Sequence, residues 1–190
     1  MSQLLDRRQA DQWIVQTGIP WDRFKKIQEG FTGCRSVRLF YCRGTVEVLT
    51  VGPEHEIYKS IIGMLIEIFL VEKGIEFTPT GSMDQEKAGS ASAQADESYC
   101  LGEYKPIPDL SVEIVFSSGG PSKLIRYQAI GVPEIWFWED GLFTIHCLRD
   151  EGYEQVKQSE LLPELDFALL TRCVLMASRV AAARTFRSAL

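Results

Sequence analysis

The feature that most constrains the fold is the stretch 95–123, where two runs of β-forming residues flank a loop rich in Gly and Pro. This pattern predicts a β-hairpin. If the turn centres on Tyr104 and Lys105, Asp96 on the first strand lies opposite Glu113 on the second. Directly opposed side chains of an antiparallel pair have Cβ atoms roughly 4.5–5.5 Å apart. The hairpin therefore brings two carboxylates together, provided that its register does not slip by one residue.

Two carboxylates at that separation repel each other unless one is protonated or a cation lies between them, and a divalent metal ion is the simplest such cation. Period-two alternation places Asp109, Ser111, Glu113 and Val115 on one face of the second strand, so Asp109 is a further candidate ligand. The alternative is that Asp109 is a turn residue and that Glu113 faces solvent. On the metal interpretation, removing Glu113 relieves its repulsion with Asp96 and leaves the metal-free fold no less stable.

Composition narrows the class of protein. The 190 residues suffice for one domain with helical appendages. The chain has no apolar run long enough for a transmembrane helix and no signal-peptide region, so no membrane association and a cytoplasmic location are expected. Five cysteines without a CxxC pair argue against a disulfide framework. The net charge of −6 is atypical of a nucleic-acid binder, although basic clusters occur at 7–8, 23–26 and 179–187.

Hydrophobic periodicity and turn residues give the order of the elements. The predicted helices are 3–16, 21–29, 53–73, 123–130 and a tail from 163, and the predicted strands outside the hairpin are 37–40, 46–50, 75–79, 135–138, 142–148 and 152–156. The small, polar segment 81–95 is predicted to be a mobile flap before Asp96. This order predicts an α/β or α+β fold with a mixed central sheet flanked by helices. The predicted divisions are a helical extension at 1–33, a core at 34–160 and a C-terminal helix at 161–190.

The helix 53–73 carries the clearest helical pattern. Its apolar stripe, expected to face the core, consists of Ile57, Ile61, Leu65, Ile68 and Phe69. Glu56 lies in the first turn, where the helix dipole favours negative charge, and its neighbour His55 is expected at the surface.

Lys123 begins the helix after the hairpin. It is either an exposed lysine of the first turn or a cation that swings over the two carboxylates to stabilise the charge on a phosphate. The sequence contains none of the HExxH, GxSxG, Walker or GxGxxG motifs.

Four stretches carry a resemblance to a known family: GIPWDRFKKI, GTVEVLTVGPEHEIYKSIIGMLIE, ADESYCLG and PDLSVEIVFSSGGPSKLIRYQAIGVPEIWFW. Together they cover most of residues 18–150. They resemble the Uma-type restriction-endonuclease-like family, a branch of the PD-(D/E)XK nuclease superfamily. The resemblance implies a restriction-endonuclease-like mixed sheet flanked by helices. It also implies an endonuclease that hydrolyses phosphodiester bonds of nucleic acid, with DNA as partner and Mg²⁺ or Mn²⁺ as cofactor.

The resemblance also implies roles for individual residues. Asp96 and Glu113 match the acidic residues of the two central strands, which hold the metal, and Glu56 resembles the helix carboxylate that assists catalysis. Lys123 fits the lysine that this branch supplies from the following helix. The lysine that other members carry two residues after the strand glutamate is replaced here by Val115. Asp109 is a further candidate for metal binding.

Two departures from the family pattern precede Asp96. Ala95 stands where the family has proline, and the segment 83–94 replaces a run rich in arginine. Together with the acidic net charge, these departures keep a second hypothesis open: a catalytically inactive nuclease fold that acts as a binding or assembly module. A small-molecule enzyme is the weaker third hypothesis, and a homodimer is compatible with each of them.

Overall fold

The computed structural model describes residues 12–34, 36–116 and 120–190. The helices are α1 (Trp21–Gly30), α2 (Pro53–Glu72), α3 (Gly120–Ile130), α4 (Phe167–Val174) and α5 (Arg179–Arg187). The strands are β1 (Gln12–Gln16), β2 (Val37–Cys42), β3 (Thr45–Thr50), β4 (Phe77–Pro79), β5 (Asp84–Lys87), β6 (Ala91–Gln94), β7 (Glu97–Leu101), β8 (Leu110–Val115), β9 (Glu134–Glu139), β10 (Leu142–Arg149) and β11 (Gly152–Val156).

The strands form two sheets. The six-stranded sheet has the order β11-β10-β9-β8-β7-β4, and the five-stranded sheet has the order β1-β3-β2-β6-β5. β8 and β9 are parallel and are joined through α3, whereas the other neighbouring pairs are antiparallel. A parallel pair needs such a crossover connection, which makes the six-stranded sheet mixed.

Strand β8 separates the two main parts of the core, and all six of its residues are buried. Leu110, Val112 and Ile114 pack on one side with α2, α4 and α5. Val115 packs on the other side with α3 and with the inner face of the five-stranded sheet. A strand that is covered on both faces places Glu113, which shares a face with Val115, inside the protein. The predicted alternation of β8 is therefore confirmed, and the solvent-facing alternative for Glu113 is wrong.

Two tight turns give the hairpins their register. The turns at Arg43-Gly44 and Asp140-Gly141 have positive φ at both residues, as the two-residue type I′ turn requires. The strands of both hairpins were predicted from the sequence, 37–40 with 46–50 and 135–138 with 142–148, and the structure pairs them as β2–β3 and β9–β10.

Helix α2 lies along the six-stranded sheet. Gly52 precedes it in an extended conformation, and Pro53 occupies the first helical position, where its missing N–H costs nothing. The predicted stripe is confirmed at Ile61, Leu65 and Phe69, which are buried. Ile57 departs from it and is exposed.

The helix predicted at 3–16 is wrong for residues 12–16, and its earlier part lies outside the described residues. Residues 12–16 form β1, which pairs with β3 along the edge of the five-stranded sheet. All five side chains of β1 are exposed, so the apolar Trp13, Ile14 and Val15 that suggested a helix do not mark a buried face. The division of the chain near residues 33 and 160 stays a prediction.

The flap predicted at 81–95 is wrong. Most of this segment forms the β5–β6 hairpin, which pairs with β2. Ala91, Ala93 and Ala95 are fully buried against α3, because small side chains allow the helix to approach closely. Alanine at every second position was the strand signal, but low hydrophobicity concealed it.

The C-terminal tail contains two helices rather than one. Asp166 caps α4 by accepting hydrogen bonds from the backbone N–H groups of Ala168 and Leu169. Ser178 begins α5 in the same way, through the N–H of Ala181. Among the described residues, no helix combines the length and the apolar character that crossing a membrane requires.

Hydrogen exchange can test the corrected assignment of the flap. The backbone amides of β6 are expected to exchange as slowly as those of β2, because β6 is buried between β2 and β5. Residues 88–90 of the connecting turn serve as the control and should exchange rapidly. Equal, fast exchange across 84–94 in a mass-spectrometry or NMR experiment would contradict the structure.

Candidate active site

The hairpin β7–β8 has the predicted register. Glu97 pairs with Val112 and Tyr99 pairs with Leu110. Asp96 directly precedes β7, and its N–H donates to the carbonyl of Val112 at 3.1 Å. The same register brings Asp96 beside the part of β8 that contains Glu113. Both carboxylates are almost completely buried.

Glu113 lies in a pocket formed by α3. Lys123 Nζ donates a hydrogen bond to Glu113 Oε2 at 2.7 Å, and the hydroxyl of Tyr127 donates to Glu113 Oε1. Lys123 and Tyr127 are four residues apart and therefore project from the same face of the helix. Burial and the negative charge of Glu113 raise the pKa of Tyr127 well above its usual value, so the phenol keeps its proton and remains a donor. Lys123 is only 7% exposed, which excludes the hypothesis of an exposed lysine.

Asp96 is held by three different elements. The backbone N–H of Ile114 donates to Asp96 Oδ2 at 2.7 Å, His55 Nε2 lies 3.3 Å from the same oxygen, and Arg38 Nε lies 3.9 Å from Asp96 Oδ1. Burial alone would raise the pKa of Asp96. The hydrogen bond and charge of His55, the charge of Lys123 and the N–H of Ile114 outweigh burial and lower that pKa. Asp96 is therefore ionised at neutral pH.

The other two predicted acidic residues differ in position. Glu56 lies at the rim of the site, 46% exposed, where its carboxylate contacts Arg38 at 3.3 Å and Lys59 at 3.5 Å. Because Arg38 also contacts Asp96, it links Glu56 to the centre. Asp109 lies apart from the other carboxylates, one residue before β8, where it accepts from the N–H of Leu101 and pairs with a lysine of the hairpin loop.

Sequence reasoning missed three residues of the site. His55 was expected at the surface but is fully buried. It projects along the same side of α2 as Ile62 and Ile66, a helical spacing that could have indicated burial. Arg38 shares a face of β2 with Phe40, toward the core, and Tyr127 follows Lys123 by one helical turn. Helical and strand periodicity could have predicted that each of these three side chains faces the core. Periodicity could not have identified the residue that each one contacts.

The side chains of the site match the coordination preferences of a small, hard cation such as Mg²⁺ only in part. Mg²⁺ is usually bound by one or two carboxylates and several waters, and Asp96 with Glu113 supplies two. Both Glu113 oxygens accept hydrogen bonds from α3. Among the described residues, no cluster of three His, Cys, Asp or Glu side chains has metal-binding geometry. A metal ion at Glu113 would share the carboxylate with Lys123 and Tyr127 or displace one of these donors.

Glu97 packs beneath α2, next to the site. Burial raises its pKa to about 7, and the positive charge of Lys59 opposes this rise only in part. Gly63 makes the close packing possible, because a Cβ at this position would lie 3.3 Å from the hydroxyl of Tyr99 and 3.5 Å from the carboxyl carbon of Glu97. Glu97 therefore titrates near neutral pH in the folded protein.

Comparison with known proteins identifies the family. Residues 21–179 match the sequence profile of the Uma2 family, described as "Putative restriction endonuclease". The chain belongs to the Uma2 family. A crystal structure from Anabaena variabilis, described as "a putative nuclease", has the same fold, with a TM-score of 0.52 and 14% sequence identity over 88% of this chain and 99% of that one. No curated protein matches. The predicted family and the predicted α+β fold class are confirmed.

The sequence alone predicted that removing Glu113 leaves the metal-free fold no less stable. The contact between Glu113 and Lys123 predicts the opposite, a loss of stability. Glu113→Gln leaves a buried ammonium group without its carboxylate, so the free energy of unfolding should fall by about 3 kcal/mol. Urea denaturation of metal-free protein measures this loss. The double variant Glu113→Gln/Lys123→Met removes both charges and should recover most of the stability. An unchanged single variant would contradict this prediction, and a more stable one would indicate that repulsion from Asp96 dominates.

Glu97 gives a prediction about pH. Its folded pKa of about 7 lies above the unfolded value of 4.5, so the unfolded chain releases this proton more readily. The contribution of Glu97 to stability is therefore complete below about pH 4.5 and is lost as the pH rises through about 7. Glu97→Gln, which mimics the protonated form, should raise the urea midpoint at pH 8 and leave it nearly unchanged at pH 4. Glu103→Gln, in the exposed hairpin loop, is the control, and a Glu97→Gln midpoint shift independent of pH would contradict the prediction.

Proposed function

We propose that this Uma2-family protein is a metal-dependent endonuclease that hydrolyses phosphodiester bonds of DNA. The observation that supports the proposal most strongly is the pair of buried carboxylates, Asp96 and Glu113, with Lys123 hydrogen-bonded to Glu113 at 2.7 Å. Two buried carboxylates and a lysine at the junction of two neighbouring strands and a helix are the groups that metal-assisted phosphodiester hydrolysis needs.

Each residue of the site has a proposed role. Asp96 and Glu113 bind Mg²⁺ or Mn²⁺, which would polarise the phosphoryl oxygen and lower the pKa of a bound water. Lys123 carries the positive charge that stabilises the phosphate. Tyr127 keeps its proton and orients Glu113 from the other side. Glu56 assists from the rim through Arg38, the residue it shares with Asp96.

A second function has its own supporting observation. Lys123 and Tyr127 occupy both oxygens of Glu113, and Val115 takes the position of the usual lysine. A site whose carboxylates are already neutralised inside the protein is also what an inactive binding or assembly module would keep for stability. The two functions differ in whether metal binds and whether a phosphodiester bond is cut.

Cleavage assays with and without Mn²⁺ or Mg²⁺ distinguish the two functions. The wild type should cut DNA only with metal, and Asp96→Asn and Glu113→Gln should abolish cutting. Lys123→Met should slow cutting by roughly 10²–10³-fold, the usual cost of removing one oriented charge-stabilising donor. Asp109→Asn is the matched control: it makes the same chemical change on the same hairpin and should cut like the wild type. Circular dichroism at the assay temperature must show that each variant is folded.

Calorimetric titration of metal adds a readout that does not need the right substrate. Mn²⁺ should bind the wild type and Asp109→Asn but not Asp96→Asn. If the metal does not bind at millimolar concentration, with or without DNA, the nuclease proposal is wrong and the inactive module is favoured. If Asp109→Asn also loses metal, Asp109 belongs to the metal site after all.

A further inference from the structure

A cavity of about 570 Å³ opens beside the candidate site. It lies between the end of α1, the start of β2, the first turns of α2 and the β5–β6 hairpin. Arg38 lines it and lies 3.9 Å from Asp96, so the cavity begins one side chain away from a proposed metal ligand. Sites for small ligands commonly measure ~300–1,000 Å³, and one nucleotide fits that range.

The walls of the cavity carry groups that suit a nucleobase. Phe31, at the end of α1, is 37% exposed although it is large and apolar. Such a ring can stack on the face of any base. Asp84 and Gln94 add a carboxylate and an amide, the groups that pair with base edges. Gln94 is fixed in place, because it donates to Asp84 at 2.6 Å and accepts from the N–H of Leu39 at 2.8 Å.

Two cationic side chains, Arg38 and Lys59, lie on the wall formed by β2 and α2, where Glu56 lines the same wall and contacts both. Lys59 Nζ lies 3.5 Å from Glu56 and 3.5 Å from the hydroxyl of Ser82. Positive groups next to the proposed hydrolytic centre, in a cavity that also holds an aromatic ring and amide groups, match the two halves of a nucleotide. The phosphate would bind near Arg38 and Lys59, and the base would stack on Phe31.

We infer that this cavity binds the base of an unpaired nucleotide next to the scissile phosphate, so that the substrate is single-stranded DNA. The inference rests on the proposed function, because it assumes hydrolysis at Asp96 and Glu113. A base inside a duplex is stacked and paired and must be extruded before it can enter a cavity of this kind, which costs free energy. A single strand avoids that cost. On this inference, the protein recognises DNA by binding a base in the cavity, not by inserting a helix into the groove of a duplex.

Binding of DNA containing 2-aminopurine tests this inference without cleavage. The assay uses Ca²⁺ in place of Mg²⁺ and compares a short single strand with its duplex. The single strand should bind at least about tenfold more tightly, and 2-aminopurine fluorescence should fall as the base stacks on Phe31. Phe31→Ala should weaken binding by about tenfold, within the range that stacking of one base supports. Phe31→Trp should restore binding, which a purely structural role of Phe31 would not predict.

Tyr104→Ala is the matched control, because Tyr104 is an exposed aromatic residue in the β7–β8 loop, outside the cavity lining. Equal binding of duplex and single strand, or equal effects of Phe31→Ala and Tyr104→Ala, would overturn the inference. If duplex DNA is cut with metal while Phe31→Ala binds normally, only this inference fails. If no metal binds while single strands bind through Phe31, the proposed hydrolysis fails and the cavity remains a nucleotide site.

Discussion

Two buried carboxylates must be neutralised if this fold is to form. An ionised carboxylate inside a protein is costly unless charged and hydrogen-bonding partners surround it. Asp96 obtains them from β2, α2 and the backbone of β8, and Glu113 obtains them from α3. The need to neutralise these two carboxylates brings elements of both sheets together around the candidate site. Packing alone would hold α3 and the first turns of α2 near β8, but these charges fix their positions relative to each other.

A third buried carboxylate in the same sheet shows how a purely structural one is satisfied. Glu134, on β9, accepts hydrogen bonds from Trp136 Nε1 at 2.5 Å, from the hydroxyl of Ser159 at 2.6 Å and from the backbone N–H of Glu160 at 2.9 Å. All three donors are neutral. Asp96 and Glu113 instead have cationic neighbours, whose charge an incoming metal ion can replace. The kind of partner, rather than burial, separates the candidate site from the rest of the core.

The sequence predicted the fold where local patterns agreed with the final contacts. The strands beside the tight turns, the apolar stripe of α2 and the register of β7–β8 depend on neighbours in the chain, so they could be inferred. The β5–β6 hairpin was missed, because its alternating alanines are a weak strand signal and the helix that buries Ala91 and Ala93, α3, lies later in the chain. Within the site, the pairing of Asp96 with His55 and Arg38 joins three separate segments. No spacing rule encodes such contacts, and only the folded arrangement brings them together.

The contacts that stabilise the site also limit how tightly it can bind a metal. A ligand stabilises the folded state only by the free energy of binding that remains after competing contacts are broken. Lys123 donates to Glu113 at 2.7 Å, so an ion at Glu113 would compete with this ammonium group for the negative charge of the carboxylate. If Glu113 had no partner, it would bind metal more strongly but would destabilise the metal-free fold. In the proposed reaction, an ion that displaced Lys123 from Glu113 would leave its ammonium group available to the phosphate, which would couple metal binding to the positioning of the positive charge.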